Sequence, residues 1–528
     1  MHALDWTVVW IYLSGLMLLA LYLNSKQASA EDYFLGNHRL SASTLAASTI
    51  ATQCSTNSLL GAPAFVGFVA GGGMIWLQYE LAVPLAMLAL LWIMLPARRY
   101  GVTSIYEILE LRIGRRARLT AAGCFLLFRG VATAVTLYGS ALVVSLLLEL
   151  HFVAAVLLIM TATVLYDYFG GLTAVVISDA IQLALLLGAV LFSLIYIGDL
   201  IDWDFFVEER KQTLVNDWGF GGQDYGFWPM LIGGVFLYAS YYGCDQSQAQ
   251  RILAARSEAD TARVLLWNGV FRFPIVLLYC FLGLGLAALA AQDPRILGSL
   301  PTTSGGEKNL NVVFPVFVLN HFEPGFVGLV MVGLIAASMS SIDSALNSLS
   351  AVTVEDFIRP RLSKQTSSAK QLLLGRACTM LWGLFAVVCA FQVENIALTV
   401  LEAVNKVGSM VNGPLLALIA SAILMQRVSQ TSALVGFVGG LLANLLVAVY
   451  LPEVSWLWWN VIGFIVAFLC IVLGSAFLVP SPQSELSPQS ELSPQQSFQS
   501  SAKAPKGYLK ILLSQFLVIL GVCMAVQW

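Results

Sequence analysis

Apolar segments of about 20 residues, separated by short polar loops, follow one another along the whole chain. Because an α-helix needs about 20 apolar residues to cross the hydrocarbon core of a bilayer, this pattern predicts a polytopic membrane protein built of helices. We count fourteen predicted spans. They lie at about 5–24, 42–70, 74–98, 119–149, 151–171, 173–199, 226–246, 263–291, 311–355, 371–391, 394–426, 430–451, 455–479 and 508–527.

The composition agrees with this interpretation. The 528 residues are 58% hydrophobic and only 11% charged, which is too few charges for a soluble protein of this size. The first span lacks a basic amino-terminal flank and a small-residue cleavage site. It is therefore predicted to be a retained helix rather than a signal peptide.

Positive charge is distributed unevenly between the loops. Of the 27 Lys and Arg residues, 20 lie in loops that follow odd-numbered spans. Loops that follow even-numbered spans hold only Arg210, Lys211, Arg295 and Lys308. Because cytoplasmic loops are enriched in Lys and Arg, we expect both termini outside the cytoplasm. We expect the protein in the cell membrane, which in a bacterium is the inner membrane.

The sequence lacks the motifs of common enzymes. Its eight Cys residues show no paired ligand spacing, and its four His residues form no HExxH pattern. Neither a GxSxG nor a P-loop pattern occurs. We therefore predict that the protein is not an enzyme and uses no organic cofactor.

The ninth span carries an unusual concentration of polar side chains. They stand at i, i+1, i+3 and i+4, so in a helix their oxygens gather on one face. Because an ionisable residue at membrane depth is costly and normally faces an ion path or the bundle interior, they are candidate ligands of a small hard cation. Two alternatives stay open, namely plain packing between helices and pairing of the Asp with Asn347 or an Arg. The four residues are Ser340, Ser341, Asp343 and Ser344.

Two other spans are interrupted by clustered polar residues. The second contains Gln53-Cys-Ser-Thr-Asn-Ser58 followed by Gly61-Ala-Pro63, and the seventh contains Tyr238-Ala-Ser-Tyr-Tyr-Gly243-Cys-Asp-Gln246. We predict that both helices break, because unwound backbone in a membrane is tolerated where it lines a cavity. Two broken helices five spans apart are typical of an inverted five-helix repeat. The alternative is that Gly and Pro only kink packed helices.

Four motifs follow one another in a recognisable order. They are Ala47-Ser-Thr-Ile50, Gly170-Gly-Leu-Thr-Ala-Val-Val-Ile-Ser-Asp179-Ala-Ile-Gln182, Gly243-Cys-Asp-Gln246 with Gln250-Arg-Ile-Leu-Ala-Ala-Arg256, and Ala337-Ser-Met-Ser-Ser341 with Leu346-Asn-Ser348. In this order they resemble the sodium:solute symporter family, over about residues 5–479. The resemblance implies a LeuT-type fold, with two inverted five-helix repeats and flanking helices.

The resemblance and the pattern of spans together predict a division of the chain into five parts. We expect a first transmembrane helix with a cytoplasmic connection at 1–41, a transport core at 42–426, two peripheral transmembrane helices at 427–479, a linker at 480–507 and a last transmembrane helix at 508–528. Within the core, the repeats would cover about 42–199 and 226–426. The linker repeats Ser-Pro-Gln-Ser-Glu-Leu, a composition that predicts disordered cytoplasmic sequence.

One or two sodium ions are implied by the same resemblance. In the family's principal sodium site, backbone carbonyls of two helices join two hydroxyls. Carried over by position, these ligands are the carbonyls of Ala47, Ile50 and Ala337 and the hydroxyls of Ser340 and Ser341.

A second sodium site is implied by Asp179, which matches a family Asp. In sialic acid members of the family, that Asp joins hydroxyls of a later helix. The corresponding set here is Asp179, Ser340, Asp343 and Ser344. Asp343 stands where those members carry Ser, so it could bind sodium, a proton or a structural partner.

Candidate solute ligands come from the resemblance and from the depth of two arginines. Glu80 falls where sugar transporters have a sugar-binding Glu, and Ala132 falls where sialic acid members place a carboxylate-binding Arg. Arg129 and Arg272 are predicted near mid-membrane, where a guanidinium fork fits a carboxylate. The alternative is that the two arginines pair with acidic residues and hold helices together. The full candidate set is Gln53, Thr56, Gln78, Glu80, Arg129, Tyr241 and Arg272.

Together these features predict a sodium-coupled secondary symporter that imports a small organic solute by alternating access. Because the arginines suit a carboxylate, an organic anion or sugar acid is the leading solute class. Three alternatives stay open, namely a sodium/sugar symporter, a transporter-like solute sensor and a channel. A fused signalling domain would favour the sensor, and a continuous polar stripe through the gating helices would favour the channel.

The expected partners are the solute, sodium ions and the lipid bilayer, without nucleic acid. The sequence defines no oligomeric state and is compatible with a monomer.

Overall fold

The protein is all-helical in the computed structural model, which describes residues 2–24, 27, 29–54, 56–219, 225–302, 306–363, 366–393, 400–477 and 506–526. Within those ranges no β-strand occurs, and the only β-type pairing is an isolated bridge between Thr302 and Lys308. The predicted all-α class is confirmed. The predicted linker at 480–507 lies outside the described residues, except for the first two residues of the last helix.

Twenty α-helices follow one another in the described part of the chain. They are α1 (Ala3–Asn24), α2 (Ala30–Leu35), α3 (Ala42–Gln53), α4 (Thr56–Gly67), α5 (Ala82–Arg99), α6 (Glu107–Arg112), α7 (Arg115–Leu148), α8 (Phe152–Leu200), α9 (Glu209–Gln212), α10 (Gly234–Cys244), α11 (Gln246–Leu253), α12 (Glu258–Gln292), α13 (Arg295–Gly298), α14 (Val313–His321), α15 (Phe326–Val352), α16 (Ser368–Ala390), α17 (Val400–Leu424), α18 (Gln430–Tyr450), α19 (Trp456–Phe477) and α20 (Lys506–Val526). A 3₁₀ segment, Met74–Leu81, leads into α5, and a π-helical segment, Thr353–Ile358, continues α15.

Eleven helical runs among the described residues are long and apolar enough to cross a membrane. One of them, α8, has 49 residues and would be about 73 Å long, more than twice the thickness of the hydrocarbon core. It is divided at Gly171, whose φ of 56° and ψ of −169° are not helical. This backbone conformation favours glycine, and a Cβ here would lie 2.7 Å from the Tyr33 ring. The predicted boundary between spans five and six coincides with Gly171, whereas the total number of crossings stays a prediction.

The predicted break of the second span is confirmed. Helices α3 and α4 are separated at Cys54, whose φ of −83° and ψ of 52° leave the helical range. The Tyr279 hydroxyl donates to the Cys54 carbonyl at 3.0 Å, and the Ser341 hydroxyl lies 3.3 Å from the Thr52 carbonyl. Side chains of α12 and α15 thus replace lost helical hydrogen bonds, as unwound backbone inside a membrane requires.

The seventh span is also broken, as predicted. Helices α10 and α11 are separated at Asp245, which has an extended backbone with φ −73° and ψ 118°. The Tyr106 hydroxyl donates to the Cys244 carbonyl at 2.7 Å. Asp245 Oδ1 accepts a hydrogen bond from the Ser247 amide at 2.8 Å. Asp245 therefore caps the first turn of α11.

The ninth predicted span, 311–355, is wrong at its start. Helix α14 ends at His321, and α15 begins only at Phe326. The chain between them contains Glu323-Pro324-Gly325, and Gly325 has a φ of 95°. Proline and a glycine with positive φ form a turn within an otherwise apolar run, so the membrane-spanning helix is α15 with its continuation.

Helix α15 lies at the centre of the bundle. All of its residues except Phe326 and Leu329 are buried. It packs against α1, α3, α7, α8 and α16. A helix that is buried on all sides lies in the protein core. The polar residues of α15 therefore face other helices rather than lipid.

Candidate ion and solute site

A cavity of about 130 Å³ lies between the breaks of the two broken helices. Residues of α3, α4, α7, α10, α12, α15 and α17 line it. Aromatic side chains form part of its walls, among them Trp76, Tyr79, Phe125 and Phe128. The other lining side chains include amides, hydroxyls and two guanidinium groups, so the cavity combines apolar walls with a few polar groups, as small-molecule sites do.

Arg272 and Glu80 form a buried two-pronged ion pair beside the cavity. Arg272 Nε lies 2.9 Å from Glu80 Oε2, and Nη2 lies 2.9 Å from Oε1. Nη2 also donates to the Tyr238 hydroxyl at 2.6 Å, and the Tyr238 ring centre lies 4.3 Å from the guanidinium carbon. Among the described residues, Nη1 has no hydrogen-bond partner. Arg272 thus makes the pairing that the sequence left as an alternative, and it still lines the cavity.

Arg129 joins α7 to the break of the second broken helix. Its Nη1 lies 3.3 Å from Asp245 Oδ2, while the other Asp245 oxygen caps α11. The guanidinium carbon lies 6.0 Å from the centre of the Tyr241 ring. Arg129 Nε is buried and finds no hydrogen-bond partner in the part of the chain that the structure describes. Within the described ranges, each arginine of the cavity is therefore neutralised by one carboxylate and keeps one nitrogen without a hydrogen bond.

Two further solute candidates line the cavity. The Gln53 side chain lies at the end of α3 and accepts a hydrogen bond from the Tyr242 hydroxyl. Tyr241 lies on α10, and its hydroxyl accepts a hydrogen bond from the Gln248 amide at 3.0 Å. The structure thus brings Gln53, Tyr241 and the two arginines to one cavity.

Three other solute candidates do not line this cavity. The Thr56 hydroxyl donates to the Leu334 carbonyl at 2.9 Å, so it faces α15. The Gln78 amide donates to the Leu214 carbonyl. Glu80 is fully buried and uses both carboxylate oxygens for Arg272.

The first predicted sodium set is brought together in part. The Ser341 hydroxyl lines the cavity and lies 3.3 Å from the Thr52 carbonyl and 3.4 Å from the Ala337 carbonyl. One hydroxyl and two carbonyl oxygens therefore meet between α15 and the end of α3. Thr52 was not in the predicted set, although it lies next to the predicted break.

The other members of that set make different contacts. The Ile50 carbonyl accepts a hydrogen bond from the Cys54 amide at 2.7 Å. Ala47 lies one turn before Ile50 on α3. The Ser340 hydroxyl donates to Asp179 rather than joining Ser341.

Asp179 is surrounded by hydroxyls and one guanidinium group. Its Oδ1 accepts from Ser340, and its Oδ2 accepts from Ser48 and from Arg251, whose Nη2 lies 3.1 Å away. Arg251 also donates to Ser48 at 2.6 Å and to Ser344. The side chains of Asp179 and Arg251 are both completely buried. The cation beside Asp179 is thus a guanidinium, which the predicted second sodium set did not include.

Asp343, also in the predicted second set, is completely buried one residue before Ser344. Its Oδ1 accepts a hydrogen bond from the Ser344 amide at 2.6 Å, and its Oδ2 has no partner within the described ranges. The Asn347 amide donates to Asp167 Oδ1 at 3.2 Å rather than to Asp343. The charges of Asp179 and Asp167 repel that of Asp343, and the charge of Arg251 attracts it.

Three charged residues of this region were absent from the predicted site. Asp245 belongs to the motif inside the seventh span and Arg251 to the motif that follows it, and these motif positions were the signal for them. Asp167 lies three residues before Gly170 in an apolar run, where any ionisable side chain is a candidate for function.

Two broken helices that meet at a polar cavity inside a helical bundle define a secondary transporter with the LeuT-type fold. The structure resembles that of a Na⁺-coupled sialic acid symporter in a substrate-bound, outward-open state, with a TM-score of 0.81 and 25% identity over 91% of this chain and 99% of that chain. The chain belongs to the sodium:solute symporter family, whose model matches residues 33–440.

Two relatives of known activity illustrate the range of that family. The chain is 26% identical to a sodium/sialic acid symporter of Proteus mirabilis, over 92% of this chain and 97% of the relative. It is 28% identical to the sodium-coupled monocarboxylate transporter 1 of Mus musculus, over 84% of this chain and 73% of the relative.

Proposed function

We propose that this protein is a sodium-coupled symporter that imports a small organic anion. The observation that carries the proposal is the composition of one cavity. Ser341, which belongs to the proposed sodium site, lines this cavity together with Arg129 and Arg272. A single cavity that can hold a cation and an anion together provides the coupling that symport requires.

Sodium binding is supported by the neutral oxygens between α3 and α15. The Ser341 hydroxyl and the carbonyls of Thr52 and Ala337 are hard ligands without a full charge. Such ligands suit a monovalent ion that has to leave the site again. We propose that Ala47, Ile50 and Ser340 complete this site when sodium is bound.

An anionic solute is supported by two guanidinium nitrogens, Arg129 Nε and Arg272 Nη1, for which the described part of the chain offers no hydrogen-bond partner. Guanidinium groups bind carboxylates with strong, charge-assisted hydrogen bonds. The solutes named for both relatives also favour an anion, because sialic acid and monocarboxylates carry a carboxylate. Glu80 is fully engaged by Arg272, which favours an anion over a sugar bound through Glu80.

The aromatic walls of the cavity add a requirement for the solute. Trp76, Tyr79, Phe125 and Phe128 add apolar surface to the lining of the cavity. A solute with an apolar part and one carboxylate would fill this site.

Transport would proceed by alternating access. Sodium entering from outside would stabilise the outward-open arrangement of the first broken helix against α15, and the solute would complete it. Rocking of the two repeats would then open both sites to the cytoplasm. Because sodium and solute bind the same arrangement, the inward sodium gradient would drive uptake.

The experiment that tests this proposal is uptake by purified protein in proteoliposomes. We expect accumulation of a carboxylate with an inward sodium gradient and none with an inward potassium gradient. Thermal-shift screening of carboxylates, sugar acids, sugars and amino acids, with and without sodium, selects the solute, because a ligand that binds only the folded state raises its stability. Sodium-independent uptake, or stabilisation only by uncharged sugars, would contradict the proposal.

Arg129→Gln should weaken binding of the selected anion while sodium-induced stabilisation stays intact. Losing a hydrogen bond to a charged group costs about 1.5–3 kcal/mol, so we expect an affinity about 10- to 150-fold lower. Isothermal titration at saturating sodium measures the change. Arg116→Gln, at an exposed position of the same helix, is the matched control. Normal affinity in a folded Arg129→Gln protein would exclude Arg129 from the solute site.

A further inference from the structure

The solute cavity contains a buried hydrogen-bond acceptor, the side-chain oxygen of Asn57. Asn57 lies on α4, lines the cavity and is 5% exposed. Its Oδ1 atom has no hydrogen-bond partner in the part of the chain that the structure describes. A buried polar atom without a partner is costly, so a ligand that satisfies it binds more tightly. Asn57 is outside the predicted solute set, although it belongs to the polar cluster that follows Gln53.

Helix α7 fixes the orientation of the Asn57 amide. Asn57 Nδ2 lies 2.9 Å from the Thr136 hydroxyl oxygen. That hydroxyl has a single proton and donates it to the Ala132 carbonyl at 3.1 Å, so towards Asn57 it accepts. The amide nitrogen therefore points at α7, and Oδ1 is the atom left for a ligand.

The other open polar atoms of the cavity differ from this one, because they can donate. Arg129 Nε, Arg272 Nη1 and the Tyr79 hydroxyl also lack a hydrogen-bond partner within the described ranges, and all three side chains line the cavity. A solute carboxylate would satisfy the guanidinium nitrogens. It would not satisfy Asn57 Oδ1, because an amide oxygen and an ionised carboxylate both only accept. The solute therefore needs a second group that donates.

A hydroxyl group fits this acceptor better than an ammonium group. Asn57 is neutral, and Asp245 is the acidic side chain among the described residues that line the cavity. Asp245 Oδ1 accepts from the Ser247 amide and hydroxyl, and Oδ2 pairs with Arg129. An ammonium group beside Asn57 would find no free counter-charge among these residues, and burying an unpaired charge costs far more than burying a hydroxyl.

We propose that Asn57 is a specificity-determining residue whose Oδ1 accepts a hydrogen bond from a hydroxyl of the solute, and that the solute is a hydroxy acid. The proposal rests on the proposed anion symport and narrows its solute class. An acid without a substituent leaves Asn57 Oδ1 unsatisfied, and an oxo acid places a second acceptor against it. A site that bonds a solute hydroxyl discriminates against analogues that lack it.

Isothermal titration of the purified full-length protein at saturating sodium tests this preference. The probes are a propionate series substituted at the carbon next to the carboxylate, and a butyrate series substituted one carbon further away. Each series comprises the hydroxy, oxo, amino and unsubstituted acids. We expect the hydroxy acid of at least one series to bind about 5- to 150-fold more tightly than its unsubstituted analogue. Asn57→Leu, similar in size but without the acceptor, should reduce this ratio to about one.

Asn268→Leu is the matched control. Asn268 is also completely buried, its Nδ2 donates to the Val264 carbonyl of its own helix, and its Oδ1 finds no partner among the described residues, but it does not line the cavity. It should keep the wild-type preference. If Asn57→Leu fails to fold, Asn57→Ala replaces it. Thr136→Val, which removes the hydroxyl that orients the amide, should weaken the preference as well.

Three results would overturn the proposal and leave the proposed function standing. One is a wild type that prefers the hydroxy acid in neither series, and another is tightest binding of an amino acid. The third is a hydroxyl preference that persists in a folded Asn57 variant. The proposed function itself fails only if proteoliposomes show no sodium-dependent uptake of any carboxylate.

Discussion

Arg272→Gln should destabilise the folded protein by about 3–5 kcal/mol, because it leaves the Glu80 carboxylate buried without a counter-charge. Glu80 is completely buried, and both of its carboxylate oxygens accept hydrogen bonds from Arg272 at 2.9 Å. Removing one partner of such a pair costs more than removing both, since the remaining charge stays desolvated. The unfolding midpoint of the detergent-solubilised protein, followed by intrinsic fluorescence, measures this effect.

A double-mutant cycle identifies the cause. We expect Glu80→Gln to destabilise the protein as well, and Glu80→Gln with Arg272→Gln to recover most of the loss, because two neutral amides can share a hydrogen bond. The coupling energy of the cycle should be large, as for any contacting buried pair. If the double variant is as unstable as the sum of both single variants, the ion pair is not what holds these segments together.

The same double variant separates folding from solute binding. It should fold, yet it lacks the guanidinium nitrogen that lines the cavity. A folded double variant with weakened anion binding would assign Arg272 a second role beside its pairing with Glu80. Unchanged anion affinity would leave Arg272 a purely structural role.

Replacing Ser340 and Ser341 with Ala should raise the sodium concentration for half-maximal uptake by about 5- to 150-fold. This range corresponds to a loss of about 1–3 kcal/mol for neutral oxygen ligands. Surface expression should persist, because an alanine fits wherever a serine packs. Initial uptake rates in proteoliposomes, measured over a range of external sodium at fixed ionic strength, give the half-maximal concentration.

The two single variants distinguish the contributions of the two hydroxyls. Ser341 lies between the Thr52 and Ala337 carbonyls, whereas Ser340 donates to Asp179. We therefore expect Ser341→Ala to carry most of the effect. Ser348→Ala is the matched control, because its hydroxyl donates to the Ala345 carbonyl of its own helix. Unchanged sodium dependence in the double variant would remove this position from the sodium site.

The sequence by itself determined the class, the family and the two breaks. Long apolar runs with few charges predict membrane-spanning helices, because in the bilayer core each backbone N–H and C=O group needs a hydrogen-bond partner within its own segment. The breaks at Cys54 and Asp245 were predictable because clustered polar residues cannot remain inside an apolar helix without lining a cavity. The boundary at Gly171 was predictable because the apolar run was too long for one crossing.

Local pattern was insufficient where an apolar run contained a turn. The ninth span was predicted to begin at about residue 311, but α15 begins at Phe326. Hydropathy averages over a window, so the short Glu323-Pro324-Gly325 turn was absorbed into the surrounding apolar residues. The proline and the glycine of this turn were the available signal, and they are stronger evidence for a helix boundary than the averaged hydropathy.

Only the tertiary structure decided which charges meet. Arg272 pairs with Glu80, Arg129 with Asp245 and Arg251 with Asp179, across separations of 192, 116 and 72 residues. A sequence shows that each buried charge needs a partner, because an isolated charge is too costly in a membrane. It does not show which partner, since several acids lie at similar predicted depth and the choice depends on how helices pack around α15. That packing pairs Asp179 with Arg251, whereas one oxygen each of Asp343 and Asp167 has no hydrogen-bond partner among the described residues.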